Sequence, residues 1–148
     1  MITVFGAYEL DDDPARIQHD ALWLFLSSEA YWGRWRSREL IERQLASAWR
    51  VVGVYDTATG AMVGFARAFS DGCALAYLAD VYVAAEVRGH GVGVALVREM
   101  VEMGPGANFR WMLHTADAHG LYERFGFAAP SGRYLERPGE PGEHGVPS

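Results

Sequence analysis

The run Arg88-Gly89-His90-Gly91-Val92-Gly93 is where this sequence first offers chemistry. It follows a strand-like stretch, Ala74 to Val83, and precedes a helical pattern with apolar positions at Val94, Leu96, Val97, Met100 and Val101. The first N–H groups of a helix have no intrahelical partners, and the helix dipole adds positive potential there, so the position suits an anion such as pyrophosphate. Glycines at alternate positions remove the Cβ atoms that would hold phosphates away, and Arg88 adds a charge. A plain connecting turn has the same composition, and the loop alone does not decide between the two. Two other phosphate-binding patterns are excluded. A P-loop requires lysine, which the chain lacks, and the dinucleotide fingerprint requires other glycine spacing and a later carboxylate that Asn108 to Leu113 do not supply.

Stepping outward from the loop, the pattern predicts the order β-α-α-β-β-β-α-β-α-β. Residues 2 to 8 read as one strand. Asp13-Pro14 opens a first helix carrying Ile17, Ala21, Leu22, Leu24 and Phe25. Ser37 caps a second helix with Leu40, Ile41, Leu45 and Ala48 on one face. Turn clusters at Asp56 to Gly60 and Ser70 to Gly72 divide residues 50 to 83 into a three-strand meander. A third helix runs from Gly91 to Met103 and stops at Gly104-Pro105-Gly106. After a strand over Arg110 to Thr115, Asp117 is expected to cap a short helix bearing Leu121, Tyr122 and Phe125, ended by Gly126. Phe127 onward is expected to return to strand.

The chain's 148 residues, half of them hydrophobic, suit one domain over residues 1–137. The Pro/Gly-rich segment 138–148 is too poor in apolar surface to order and is expected to be a disordered tail. A single cysteine, Cys73, precludes an internal disulfide or a cysteine-based zinc site, so no metal is expected and a reducing, cytoplasmic setting is. No signal-peptide pattern or apolar run of about 20 residues is present, so no membrane association is expected. The net charge of −6 disfavours nucleic acid and favours amine-bearing partners. All thirteen basic residues are arginine, so the chain has no lysine side chain of its own to modify.

With its preceding strand, Arg88-Gly89-His90-Gly91-Val92-Gly93 resembles the Arg/Gln-x-x-Gly-x-Gly/Ala signature of the GCN5-related N-acetyltransferase (GNAT) superfamily. The stretch from His114 to Phe127, in which Leu121-Tyr122 leads to Gly126-Phe127, is similar to a later motif of the same family. The resemblance spans about residues 2 to 137. It implies an α/β (α+β) GNAT fold: a mixed, mostly antiparallel sheet splayed between its fourth and fifth strands, flanked by about four helices. The implied cofactor is acetyl-CoA. The implied activity is transfer of its acetyl group to the primary amine of a small molecule by direct attack in a ternary complex.

The resemblance also assigns roles. The pantetheine arm would pair with the backbone of Val81, Tyr82 and Val83, and the pyrophosphate would lie on Arg88, Gly89, His90, Gly91, Val92 and Gly93. The Val83 amide resembles the family's oxyanion donor, and Tyr122 its general acid. For the base, Asp80 ranks first, with Glu86 and His114 as alternatives. Asp117 stands where the family often has asparagine. Acceptor specificity is expected from the segment between the first two helices, where Tyr31 and Trp32 could enclose an amine and Arg36 could fork onto a carboxylate. Arg34 and Arg38 read instead as solvated. Acetylation of a protein or peptide amine remains open, as does an acyl-CoA-binding module without turnover. A homodimer is a further expectation, with no interface legible in the sequence.

Overall fold

The computed structural model of the protein describes residues 1–29 and 36–139. Six strands form one sheet in the order β1 to β6: β1 (Ile2–Phe5), β2 (Tyr8–Asp11), β3 (Arg50–Asp56), β4 (Met62–Ser70), β5 (Leu75–Val83) and β6 (Arg110–Leu113). All neighbours pair antiparallel except β5 and β6, which are parallel. The helices are α1 (His19–Leu24), α2 (Arg38–Ala46), α3 (Val92–Val101) and α4 (His119–Glu123). This is the mixed, mostly antiparallel sheet with four helices that was expected.

The central strands β3 and β4 are buried on both faces. Adjacent strand residues point to opposite faces, so Tyr82 and Val83 mark the two sides. Tyr82 stacks on Phe25, which follows α1, at 4.3 Å, whereas Val83 lies beneath Gly93 of α3. The α1–α2 region therefore covers one face and α3 the other. Residues of α3 that lie under 1% exposed, Leu96, Val97 and Met100, join Val52, Val54 and Phe65 in the core.

Several local expectations are corrected. Residues 2 to 8 form a hairpin rather than one strand, because Gly6 (φ 58°) opens a two-residue turn between Phe5 and Tyr8. Asp13 caps only a 3-10 turn, Pro14–Arg16. The α-helix begins later because the Gln18 side chain is held by the β3–β4 turn. It donates to Gly60 O at 2.8 Å and accepts from Met62 N at 2.9 Å. Ser37 does cap α2, accepting from Leu40 N at 3.1 Å. Asp117 caps nothing: the cap position of α4 is Ala118, whose N–H is taken by Thr115 Oγ1. No strand follows Phe127 among the described residues, where Pro130 and Gly132 interrupt the chain. The expected tail lies, from residue 140, outside the described residues. Among the described residues, no helix is long and apolar enough to cross a membrane.

Candidate active site

The glycine loop has the backbone geometry that an anion cradle requires. After a 3-10 turn over Ala85–Val87, Gly89 (φ 84°) and Gly91 (φ 79°) both take the left-handed conformation that side chains disfavour. At Gly91 a Cβ would also come within 3.3 Å of Phe5 Cζ. The first α3 bond runs from Ala95 N to Gly91 O, so the N–H groups of Val92, Gly93 and Val94 precede the helical ladder. The cap is glycine, with no side chain to satisfy them. Arg88 Nε donates to Val83 O at 3.0 Å, and His90 Nδ1–H donates to Val87 O at 3.1 Å, so both side chains stiffen the loop.

The neighbouring strand opens where the sheet splays. Pairing of β5 with β6 ends at Leu78 and Leu113. At the same level β5 carries a bulge: Asp80 pairs with Arg67 and Leu78 with Ala68, leaving Ala79 extra. Ala84 N donates to Val63 O at 2.8 Å. By antiparallel alternation, the backbone groups of Tyr82 then face β4, and those of Val81 and Val83 face away from it, into the gap beside β6. Of the three residues expected to offer backbone here, Tyr82 is thus corrected: its ladder groups are used within the sheet. Val81 can pair with an extended, amide-bearing arm through both its backbone groups, and Val83, whose carbonyl is taken by Arg88, through its N–H, which points into the gap as an oxyanion donor would.

Tyr122 is positioned by the end of its own helix. Gly126 (φ 85°) reverses the chain, so that Gly126 N donates to Glu123 O at 3.1 Å and Phe127 N to Tyr122 O at 3.3 Å. These are the two bonds of a Schellman cap, and the contact that accompanies it is Tyr122 against Phe127, ring edge to face at 5.8 Å. The spacing from Tyr122 to Gly126-Phe127 is therefore the local code that fixes this phenol, which is 9% exposed.

Asp80 and Arg36 are brought together, and neither is left for the role expected of it. Arg36 forks onto the carboxylate at 3.0 and 2.9 Å and also donates to Gln44 Oε1, while Arg67 Nε donates to Asp80 at 2.8 Å. Burial alone pushes the Asp80 carboxyl up, but the hydrogen bonds and charge of Arg36, then of Arg67, outweigh it and hold the group below its ordinary value. A carboxylate so clamped is a poor proton acceptor, which argues against Asp80 as base. Arg36, 5% exposed, ties the start of α2 to β5 and does not present its fork to a ligand. Tyr31, Trp32 and Arg34 lie outside the described residues. Glu86 is exposed in the 3-10 turn. Arg38, read as solvated, pairs at the surface with Asp20 at 2.5 Å.

The other alternative base, His114, is held between two groups that sequence reading missed. Tyr77 Oη is hydrogen-bonded to its Nδ1, and Glu136 Oε1 lies 3.0 Å from its Nε2. Tyr77 and His114 share a sheet face because Tyr77 pairs with Met112, two residues before His114. Glu136 lies far along the chain in a segment without regular structure, so no spacing signals it.

Comparison with known proteins matches residues 8–127 to a family described as the Acetyltransferase (GNAT) family. Comparison with curated proteins gives no match. Among solved structures, a GNAT-family protein of Xanthomonas campestris pv. campestris superposes with a TM-score of 0.82 at 30% identity, covering 94% of this chain and 97% of that one. A GNAT-family acetyltransferase of Streptococcus pneumoniae TIGR4 shares the fold at TM-score 0.64 and 20% identity, covering 93% and 99%. One from Elizabethkingia anophelis, solved with acetyl-CoA bound, does so at 0.63 and 15%, covering 86% and 80%.

Proposed function

Because the chain belongs to the GNAT family and is an acyltransferase, we propose that it moves the acetyl group of acetyl-CoA to a primary amine of a small molecule, by direct attack in a ternary complex. One observation carries the cofactor: an uncapped helix N-terminus with two left-handed glycines follows a strand whose Val81 backbone and Val83 N–H face an open gap. The loop fits a pyrophosphate, and the strand fits the amides of a pantetheine arm. When bound, acetyl-CoA supplies an activated thioester carbonyl and a good leaving group.

This chain's residues do the rest. The amides of Val92, Gly93 and Val94, with those of Gly89, His90 and Gly91 before them, hold the anion, and Arg88 adds charge at the rim. Val81 and Val83 orient the arm, and the Val83 N–H stabilises the oxyanion of the tetrahedral intermediate. Tyr122 gives its proton to the departing sulfur. A phenol (about 10) and a thiol (about 8.5) are close enough in pKa for proton sharing as the C–S bond breaks. The net charge of −6 favours cationic amines over anionic acceptors.

The test is thiol release from acetyl-CoA across amines, amino acids, polyamines, aminoglycosides and basic peptides, with Tyr122→Phe alongside. Turnover with small amines, lowered roughly 10²-fold or more in kcat by the mutation, supports the reading. Turnover with peptides alone moves the acceptor to protein amines. Acetyl-CoA binding without any turnover makes the chain a binding module, and absence of binding overturns the cofactor assignment.

A further inference from the structure

With Asp80 clamped by Arg36 and Arg67, the amine must lose its proton elsewhere. We infer that Tyr77, His114 and Glu136 form the relay that removes it, with Tyr77 Oη meeting the ammonium and His114 taking the charge; this rests on the N-acetyltransferase reading above. Their place supports the assignment. Leu78 and Leu113 are the last paired residues of β5 and β6, so Tyr77 sits just before the opening on one strand and His114 just beyond it on the other. Tyr77 lies on the face of Phe69, Arg67 and Asp80, the side covered by α1 and α2, opposite the face of α3 and its loop. An acceptor approaching from that side meets Tyr77 without crossing the cofactor's path.

The groups are also ordered for the task. Phe69 stacks on Tyr77 at 5.0 Å and 16°, and the His114 ring stands 5.7 Å from that of Tyr77. Burial raises the Tyr77 phenol to about 12, with Tyr134, Glu136 and Asp80 adding to the shift and Arg67 opposing it. The resting phenol therefore keeps its proton, and with Glu136 beside Nε2 the relay has it donate to Nδ1 of His114. The histidine's Nε2–H then donates to Glu136, 3.0 Å away.

The proton count closes. As the ammonium gives a proton to Tyr77 Oη, Tyr77 passes its own to His114 Nδ1, leaving a free amine, a neutral phenol and an imidazolium paired with Glu136. The amine nitrogen bonds to the acetyl carbon, the C–S bond breaks, and Tyr122 protonates the sulfur. The second N–H proton, lost as the amide forms, restores Tyr122. His114, with a side chain 56% exposed, returns its proton to solvent.

The experiment compares kcat/KM from pH 5 to 10 for wild type, His114→Gln, Tyr77→Phe and Glu136→Gln, using the best amine of the panel, with acetyl-CoA affinity measured by calorimetry. The relay predicts that His114→Gln and Tyr77→Phe lower kcat roughly 10²-fold while acetyl-CoA binds as before. The acid limb of the wild-type profile disappears in His114→Gln. Glu136→Gln, which removes only the partner of the imidazolium, lowers kcat less than His114→Gln does. The ¹⁵N shifts of His114 should report Nε2–H at rest and change in Tyr77→Phe. Wild-type turnover and pH profile surviving in His114→Gln, or an Nδ1–H resting tautomer, overturns the relay alone. A wild type that acetylates no amine removes the proposed function and the relay with it.

Discussion

Replacing Asp80 by Asn separates a structural carboxylate from a catalytic one. The side chain is 2% exposed and, among the described residues, receives two hydrogen bonds from Arg36 and one from Arg67. Asn keeps the shape but loses the charge, and its NH₂ group turns a donor toward guanidinium donors. Two buried cations then lose their common counter-ion. Breaking a buried ion pair in this way costs about 3–5 kcal/mol, which for a chain of this length lowers Tm by roughly 10–15 °C.

Thermal melts followed by circular dichroism between pH 3 and 9 measure this, with turnover of the folded protein recorded at each pH. The folded pKa lies below the ordinary 3.8, so the carboxylate's contribution is fully present above that value and is lost as pH falls through the folded one. The gap between wild type and Asp80→Asn should therefore stay constant from pH 9 to about 5 and close only in strong acid. A variant that melts within a degree or two of wild type, yet turns over about 10²-fold more slowly, would show that Asp80 is the base after all and refute the reasoning.

The other predictions concern the glycines that fix the site. Gly126→Ala places a Cβ on a φ of 85° at the cap behind Tyr122. It should cost about 1 kcal/mol in stability and lower kcat more than it alters acetyl-CoA affinity, as steady-state kinetics and calorimetry would record. Gly91→Ala combines φ 79° with a 3.3 Å approach to Phe5. There the order should reverse, with acetyl-CoA affinity falling about tenfold or more, the equivalent of about 1.4 kcal/mol, while kcat at saturation stays near wild type.

The parts of the candidate site whose local geometry could be read in the sequence are those built from near neighbours. Arg88 to Gly93 lies between a strand and an apolar helical pattern, and Tyr122 sits four residues before the Gly126 that ends its turn. In both, the bonds that set the geometry join residues within a few positions, so spacing is enough to read them. Gly6 carried a signal of the same local kind for the β1–β2 hairpin, a glycine at the first position of a two-residue turn, within what was read as one strand.

Tertiary structure alone decided the electrostatics. Asp80 read as a base because a lone carboxylate beside a splayed strand is available for proton transfer, but Arg36 lies 44 residues away and Arg67 13. Only the packing of α2 onto β5 and the β4–β5 register bring both guanidiniums to it. The same register, through the bulge at Ala79, turns the backbones of Val81 and Val83 toward the gap and that of Tyr82 away. The His114–Glu136 contact depends on an irregular segment crossing back to the end of β6. A proton's affinity for a side chain is set by burial and by charges within a few ångströms, and in this fold those charges come from strands and helices far apart in the chain.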